Sequence, residues 1–269
     1  MKPFFSVVIP TLNEEQFLPV LLTSLVKQKD KDFEIVVIDG KSDDKTKKVV
    51  LSFSGRLLIK FFISQRRQVA FQRNIGAKKS TGKYLIFLDA DSGVHPTFIK
   101  RLKATIFKRK GLVFIPYIQP DTHNSQVKIS FILVNFLIEF SQNITKPFSG
   151  GGAIIFEKHF FHQVGGFNER LFIAEDHNLI QRASSWGVKA KFLRNVKVKY
   201  SLRRWRRDGQ IAVFYKFLIA TAHLLFRGDI KKEIFDYKMG GGDYRKIKKN
   251  HLINELNDRL KQIKSYFTP

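Results

Sequence analysis

Between residues 5 and 88 short apolar runs alternate with stretches of helical spacing, and most of the runs give out at a polar or acidic residue. Phe5–Ile9 reads as a strand closed by Pro10. From Glu14 to Gln28 the apolar residues Phe17, Leu18, Leu21, Leu22 and Leu25 recur at helical spacing. Glu34–Ile38 is a second strand closed by Asp39-Gly40, and a short helix follows from Asp43 to Leu51. Leu57–Ile63 is a third strand, Gln68 to Lys79 a helix, and Tyr84–Leu88 a fourth strand. Such repetition predicts a parallel sheet with right-handed crossovers. Ligands on such sheets gather at the carboxyl ends of the strands. Those ends carry Pro10-Thr11-Leu12-Asn13-Glu14, Asp39-Gly40-Lys41-Ser42 and Asp89-Ala90-Asp91. One polar strand end is a loop; three side by side make a pocket.

Asp89 and Asp91 are the only acids between residues 54 and 110, a stretch that also holds Arg56, Lys60, Arg66, Arg67, Arg73, Lys78, Lys79 and Lys83. An Asp-x-Asp pair is common at the close of a strand, where Asp favours turns. In basic surroundings it also suits a divalent cation carrying a phosphate, because Mg²⁺ and Mn²⁺ take hard oxygen ligands and often bind through one or two carboxylates plus phosphate.

With 269 residues, 43% of them hydrophobic, the chain can build one large α/β domain or two small ones. Its net charge of +25 calls for acidic partners: nucleic acid, anionic lipid or a phosphorylated substrate. The absence of cysteine excludes disulfides and thiolate zinc sites and is compatible with a reducing compartment. The N-terminus runs into a strand with no signal-peptide pattern, and no apolar run reaches the roughly 18–20 residues that span a bilayer.

Beyond Asp91 the expected elements are a helix over 96–109, a strand over 112–118, an apolar helix over 127–140 and a strand over 153–156 preceded by Gly150-Gly151-Gly152. A turn at Gly165-Gly166-Phe167, a helix opened by Ala174-Glu175-Asp176 and ending at Trp186, and a strand over 196–200 complete the list. Residues 239–243 look like a hinge before a charged helix over about 250–266.

Five segments, SVVIPTLNEE, EIVVIDGKSDDKT, RNIGAKKSTGKYLIFLDADS, GGAIIFEKHFFHQVGGFNE and AEDHNLIQR, stand in the order found in family 2 glycosyltransferases, and the chain resembles that family over about residues 4–207. The resemblance implies an α/β fold of the GT-A, Rossmann-like type, with a mostly parallel central sheet flanked by helices. It divides residues 1–207 into a nucleotide-binding half (1–92) and an acceptor-binding half (93–207), and leaves 208–269 as a basic, helical C-terminal extension. It implies transfer of one sugar, with inversion, from a nucleoside diphosphate sugar to a hydroxyl of a glycan, a lipid-linked glycan or a polyprenyl phosphate, assisted by Mn²⁺ or Mg²⁺. A uridine diphosphate donor is preferred.

Residue by residue, the resemblance gives Pro10, Thr11, Asn13 and Glu14 to the nucleoside pocket, although Asn13 or Thr11 could equally cap a helix. Asp39 would accept a hydrogen bond from the base, or be an ordinary turn residue. Ser42 matches the family's loop, while Lys41 stands where glycine is usual and leaves the base open. Arg73 would reach the nucleotide, or be a solvated helix arginine. Asp89 would contact ribose or a metal-bound water, and Asp91 would ligate the cation. Gly151, Gly152 and Glu175 would border the acceptor. Asp176 would be the general base; alternatively Glu175 and Asp176 only favour a helix N-terminus.

Processive synthases carry Gln three residues before an Arg-Trp such as Arg204-Trp205; here that position is Ser201, which argues for single-sugar transfer. Ile211 to Phe226 is nearly all apolar and follows the basic run Arg203 to Arg207. It either packs in the core or lies in a membrane interface, and peripheral attachment to the anionic inner face of the cell membrane from the cytoplasm is expected. Charge alone would also fit a nucleic-acid binder, but no recognition motif supports a specific one. A non-catalytic binding member of the fold is the remaining rival.

Overall fold

The computed structural model describes residues 2–203, 219–220, 223, 228–232, 234 and 240. An eight-stranded mixed sheet forms the centre, in the order β3-β2-β1-β4-β7-β6-β8-β5. Its first half is the expected parallel unit: β1 (Phe5–Thr11), β2 (Phe33–Asp39), β3 (Ile59–Ile63) and β4 (Tyr84–Leu88). β1 pairs in parallel with both β2 and β4, and β2 with β3. The crossovers are α1 (Leu18–Val26), α2 (Thr46–Ser52) and α3 (Val69–Lys79). β1, β2 and β4 are buried on both faces, which explains their unbroken apolar runs.

α1 starts later than the spacing predicts. Pro19 at its first turn fixes the start, and residues 14–17 form a turn whose Glu14 carbonyl accepts from the N–H groups of Phe17 and Leu18. α3 lies unusually close to the sheet. A Cβ built at Gly76 would stand 2.2 Å from Val8 Cγ1, so only glycine allows this approach. Gly76→Ala should therefore cost about 1–3 kcal/mol of stability by overpacking. Urea denaturation would read it as a lower midpoint with an unchanged slope.

The second half reverses direction. After β5 (Gly93–Val94) and α4 (Phe98–Arg109) come β6 (Val113–Pro120), α5 (Ser125–Ser141), β7 (Ala153–Glu157), α6 (Lys158–Gln163), α7 (Glu175–Ser185) and β8 (Lys191–Tyr200). β7 runs antiparallel between β4 and β6, so its amino end sits beside the carboxyl end of β4. β8 is twice the predicted length. Its register against β6 shifts between Pro116 and Tyr117, where the partners jump from Leu193 to Lys197, and this irregularity hides the first half of the strand from an alternation count.

The chain divides into two compact units, residues 1–201 with 229–242, and residues 202–228 with 243–269. The expected helices over 211–226 and 250–266, the hinge over 239–243 and the basic run after Arg203 fall almost wholly outside the described residues. Among the described residues no helix is long and apolar enough to cross a membrane.

Candidate active site

The topology brings the carboxyl ends of β1, β2 and β4 and the amino end of β7 to one edge. On the β1–β2 side, Asp39 is buried and holds its neighbours together. Its Oδ1 accepts from Thr11 Oγ1 at 2.9 Å and Ser42 Oγ at 2.6 Å, and its Oδ2 accepts from the Ser42 N–H at 2.8 Å. Ser42 Oγ accepts from the Asn13 N–H, and Asn13 Oδ1 accepts from the Asp43 N–H, both at 2.8 Å. Pro10 and Thr11 end β1 opposite Ile38 and Asp39, and the Glu14 N–H donates to Thr46 Oγ1 at 2.8 Å. Pro10, Thr11, Asn13, Glu14, Asp39 and Ser42 thus lie on one rim. Asn13 does not cap α1, whose N-cap is Phe17; its side chain ties the two strand-end loops together.

Two residues of this rim have left-handed backbones, Asn13 (φ 54°) and Lys41 (φ 60°). Glycine would adopt the conformation of Lys41 without strain, and the lysine holds it at a cost of about 1 kcal/mol.

Across the edge stands an ion-pair cluster. Arg73, on α3, is buried, with a side chain 4% exposed. Its Nη2 donates to Asp89 Oδ1 at 2.7 Å, and its Nη1 donates to both Glu175 Oε1 at 2.9 Å and Asp176 Oδ1 at 2.7 Å. Its guanidinium also lies 5.2 Å from the Phe167 ring centroid, while the buried Nε has no hydrogen-bond partner. Arg73 is therefore no solvated helix arginine. Burial alone would lower its pKa, but the charges of Asp176, Asp89 and Glu175 outweigh burial and raise it. One cation faces three carboxylates, so the cluster is short of positive charge. Burial first, and the Asp176 charge second, push the Glu175 carboxyl up to about 7, with Arg73 the main opposing influence.

Glu175 and Asp176 open α7 directly after Ala174, which is left-handed at φ 64°. Strain of this kind, of the order of 1–3 kcal/mol, commonly marks functional turns. Gly151 (φ 68°) and Gly152 (φ 75°) enter β7 next to the same acids. A Cβ at Gly152 would lie 3.3 Å from Asp89 Oδ2, and one at Gly151 3.8 Å from Asp176 Oδ2. The glycines thus leave bare backbone beside both carboxylates. Asp89, Gly151, Gly152, Glu175 and Asp176 share one locus. Asp91, two residues past Asp89, is half-buried at the same strand end.

Sequence chemistry passed over the residues on either side of Arg73. Gln72 Nε2 donates to the carbonyls of Thr11 at 2.9 Å and Ile38 at 2.8 Å, bracing the β1–β2 rim from below. Asn74 exchanges hydrogen bonds with the Phe167 backbone, both at 2.9 Å, and donates to Glu169 Oε1 at 2.8 Å. The available signal was three consecutive polar residues in a helix whose other buried residues are Ala70, Gly76 and Ala77.

The sequence model of glycosyl transferase family 2 matches residues 6–165, more than half of the chain. The chain belongs to glycosyl transferase family 2. The matched segment ends before α7. Within the family the chain is similar to the PGL/p-HBAD biosynthesis glycosyltransferase of Mycobacterium bovis, 31% identical over 179 residues, covering 65% of this chain and 67% of that protein. It is also similar to an uncharacterized glycosyltransferase of Haemophilus influenzae, 26% identical over 65% of this chain and 60% of that one. Among solved structures, Staphylococcus aureus TarS 1-349 in complex with UDP-GlcNAc superposes with a TM-score of 0.61 at 22% identity, covering 75% of this chain and 58% of that one. The mannosyltransferase PcManGT of Pyrobaculum calidifontis, in complex with GDP-Man and Mn²⁺, gives 0.62 at 18% identity, covering 81% and 65%. The fold is the GT-A fold of these glycosyltransferase structures, and the chain spans about three fifths to two thirds of the lengths of the proteins it matches.

Proposed function

We propose that this family 2 member transfers a single sugar from a nucleoside diphosphate sugar to an acceptor hydroxyl, with inversion at the anomeric carbon. The observation that carries this is the convergence of Asp89, Asp176, Glu175 and the Gly151-Gly152 backbone on one locus, at the sheet edge where β1 and β2 also end.

The rim built from Pro10, Thr11, Asn13, Glu14, Asp39 and Ser42 takes the nucleoside. Asp39 Oδ2, with one donor in place, retains acceptor capacity for an N–H of the base. The donor is a UDP-sugar by preference; TarS was solved with UDP-GlcNAc and PcManGT with GDP-Man.

A divalent cation fits this donor set. Among the described residues no group of three or more His, Cys, Asp or Glu is arranged to hold a metal ion by itself, so the donor's own oxygens have to take part. Asp89 Oδ2, the oxygen other than the one that accepts from Arg73, and the Asp91 carboxylate are hard oxygens at the half-buried strand end, and diphosphate oxygens would complete the shell. When bound, Mn²⁺ or Mg²⁺ would supply Lewis-acid stabilisation of the departing diphosphate.

The protein's own groups supply the rest. Asp176 takes the proton from the acceptor hydroxyl as that oxygen attacks, and Glu175 orients the acceptor. Arg73 positions all three acids from beneath. The acceptor is a hydroxyl on a glycan, a lipid-linked glycan or a polyprenyl phosphate, and the basic composition suits a peripheral position on the anionic inner face of the membrane.

Calorimetry with UDP-sugar and Mn²⁺ tests the assignment. Asp91→Ala should abolish metal-dependent donor binding, weakening it at least about 100-fold, since a hydrogen-bonded or metal-bound charge is worth several kcal/mol. Unchanged metal-dependent binding would remove Asp91 from the site.

A further inference from the structure

The buried side of α5 is ordinary. Val127, Phe131 and Ile138 are buried, and Asn135 bonds the Ile118 N–H and carbonyl at 2.8 Å each, fixing the helix against β6. The outward side is not. Ile129, Ile132, Leu133, Phe136, Leu137 and Phe140 are 44–65% exposed, and Ile144, three residues past the helix, is 45% exposed. These seven are half of the fourteen exposed large apolar side chains among the described residues; the other seven are spread over α1, α2, β3, α4 and three connections, with no element giving more than one. At 100° per residue the six on α5 fall on the side opposite Val127, Phe131 and Ile138. A helix apolar on both sides belongs in a core or against lipid, and scattered exposure elsewhere needs no such explanation.

Charge selects the occupant. α5 bears two charged residues, Lys128 and Glu139, and Glu139 is neutralised by Arg194 of β8 through contacts of 2.8–3.1 Å. Lys128, Lys146, Lys197 and Lys199 are exposed on the helix, just beyond it and on β8. The whole chain carries +25, so a second copy would be repelled where an anionic surface would be attracted. At 17 residues α5 is about 25 Å long, too short to span hydrocarbon.

We propose that α5 is an interfacial helix that lays this apolar face into the headgroup boundary of an anionic bilayer, with the neighbouring lysines on lipid phosphates. α5 and its basic neighbours are distinct from the segments after Arg203. The consequence for catalysis rests on the transferase reading: the chain runs from α5 through residues 142–150 into Gly151-Gly152, the acceptor side of the candidate site. A bilayer held by α5 favours an acceptor that is itself lipid-linked.

Flotation of the full chain with vesicles tests this, without donor or acceptor. Wild type should float with vesicles of equal parts phosphatidylglycerol and phosphatidylcholine, and less with pure phosphatidylcholine. Leu133→Ser with Phe136→Ser should lower the partition coefficient at least about tenfold, because each side chain contributes apolar burial. The melting temperature and the donor-induced thermal shift of that variant should match wild type. Wild type that stays in the aqueous phase, or a double variant that floats equally well, overturns the proposal. So does a vesicle-independent dimer that the double variant dissociates, which gives the face to a second copy. A double variant that melts several degrees lower gives the face to another part of this chain and also overturns it. Donor binding and vesicle flotation are separate readouts, so failure of one reading is not mistaken for failure of the other.

Discussion

Arg73→Met is expected to destabilise the protein by about 3–5 kcal/mol, the usual loss when one partner of a buried ion pair is removed. In a domain of this size that is about 10 °C in melting temperature. The effect is large because Asp89, Glu175 and Asp176 all depend on this one guanidinium. It should also grow with pH. Glu175 is pushed up to about 7 from its ordinary 4.5, first by burial and then by the charge of Asp176. Between those pH values the folded chain holds a proton that the unfolded chain has released. The group's contribution is therefore full below about pH 4.5 and is lost as pH rises through 7. Removing Arg73 takes away the main influence that lowers this pKa and extends the penalty upward. Thermal melts at pH 5 and pH 8 should show the two proteins further apart at pH 8. Equal melting temperatures at both would show that Arg73 does not hold the carboxylates.

Asp176→Asn should suppress sugar transfer by about 10²–10⁴-fold, the range of a positioned general base. Donor binding should stay nearly intact, because the assigned nucleotide rim lies on β1 and β2. Asparagine keeps the shape and can still accept from Arg73. Full activity in this variant would refute the assignment. The pH profile supplies a second readout. In wild type the acid limb of kcat/KM should fall near neutrality, where the Glu175 carboxyl, pushed up to about 7, loses its proton. Glu175→Gln removes the neighbouring negative charge and should move that limb to lower pH.

The parallel half of the fold was legible because β1, β2 and β4 are buried on both faces and read as unbroken apolar runs. The antiparallel β7 could be placed as a strand but not oriented, since direction is set by its neighbours. The shift at Pro116/Tyr117 concealed the start of β8, and the two-residue β5 is too short for any periodic signal. Of the site, the strand-end residues and the Asp-x-Asp pair could be expected from position alone. The destination of Arg73 could not. Spacing places it on a helix but does not say that the side chain turns inward to meet acids 16 and about 100 residues away. Gln72 and Asn74 were missed for a related reason: apart from Glu169, their partners are main-chain atoms, which leave no mark in a sequence.

Gln72, Arg73 and Asn74 occupy one turn of α3, yet they brace the β1–β2 rim, the carboxylates and the Phe167–Glu169 loop respectively. The β1–β2 rim, the carboxylate cluster and that loop therefore share a common hinge pin, and none is a free-standing module. A chimaera that imports a foreign loop over residues 164–173 would inherit a mismatched seat unless the tripeptide travelled with it. Any change of sequence that reshapes the carboxylate side would have to pass through the same turn that steadies the β1–β2 rim.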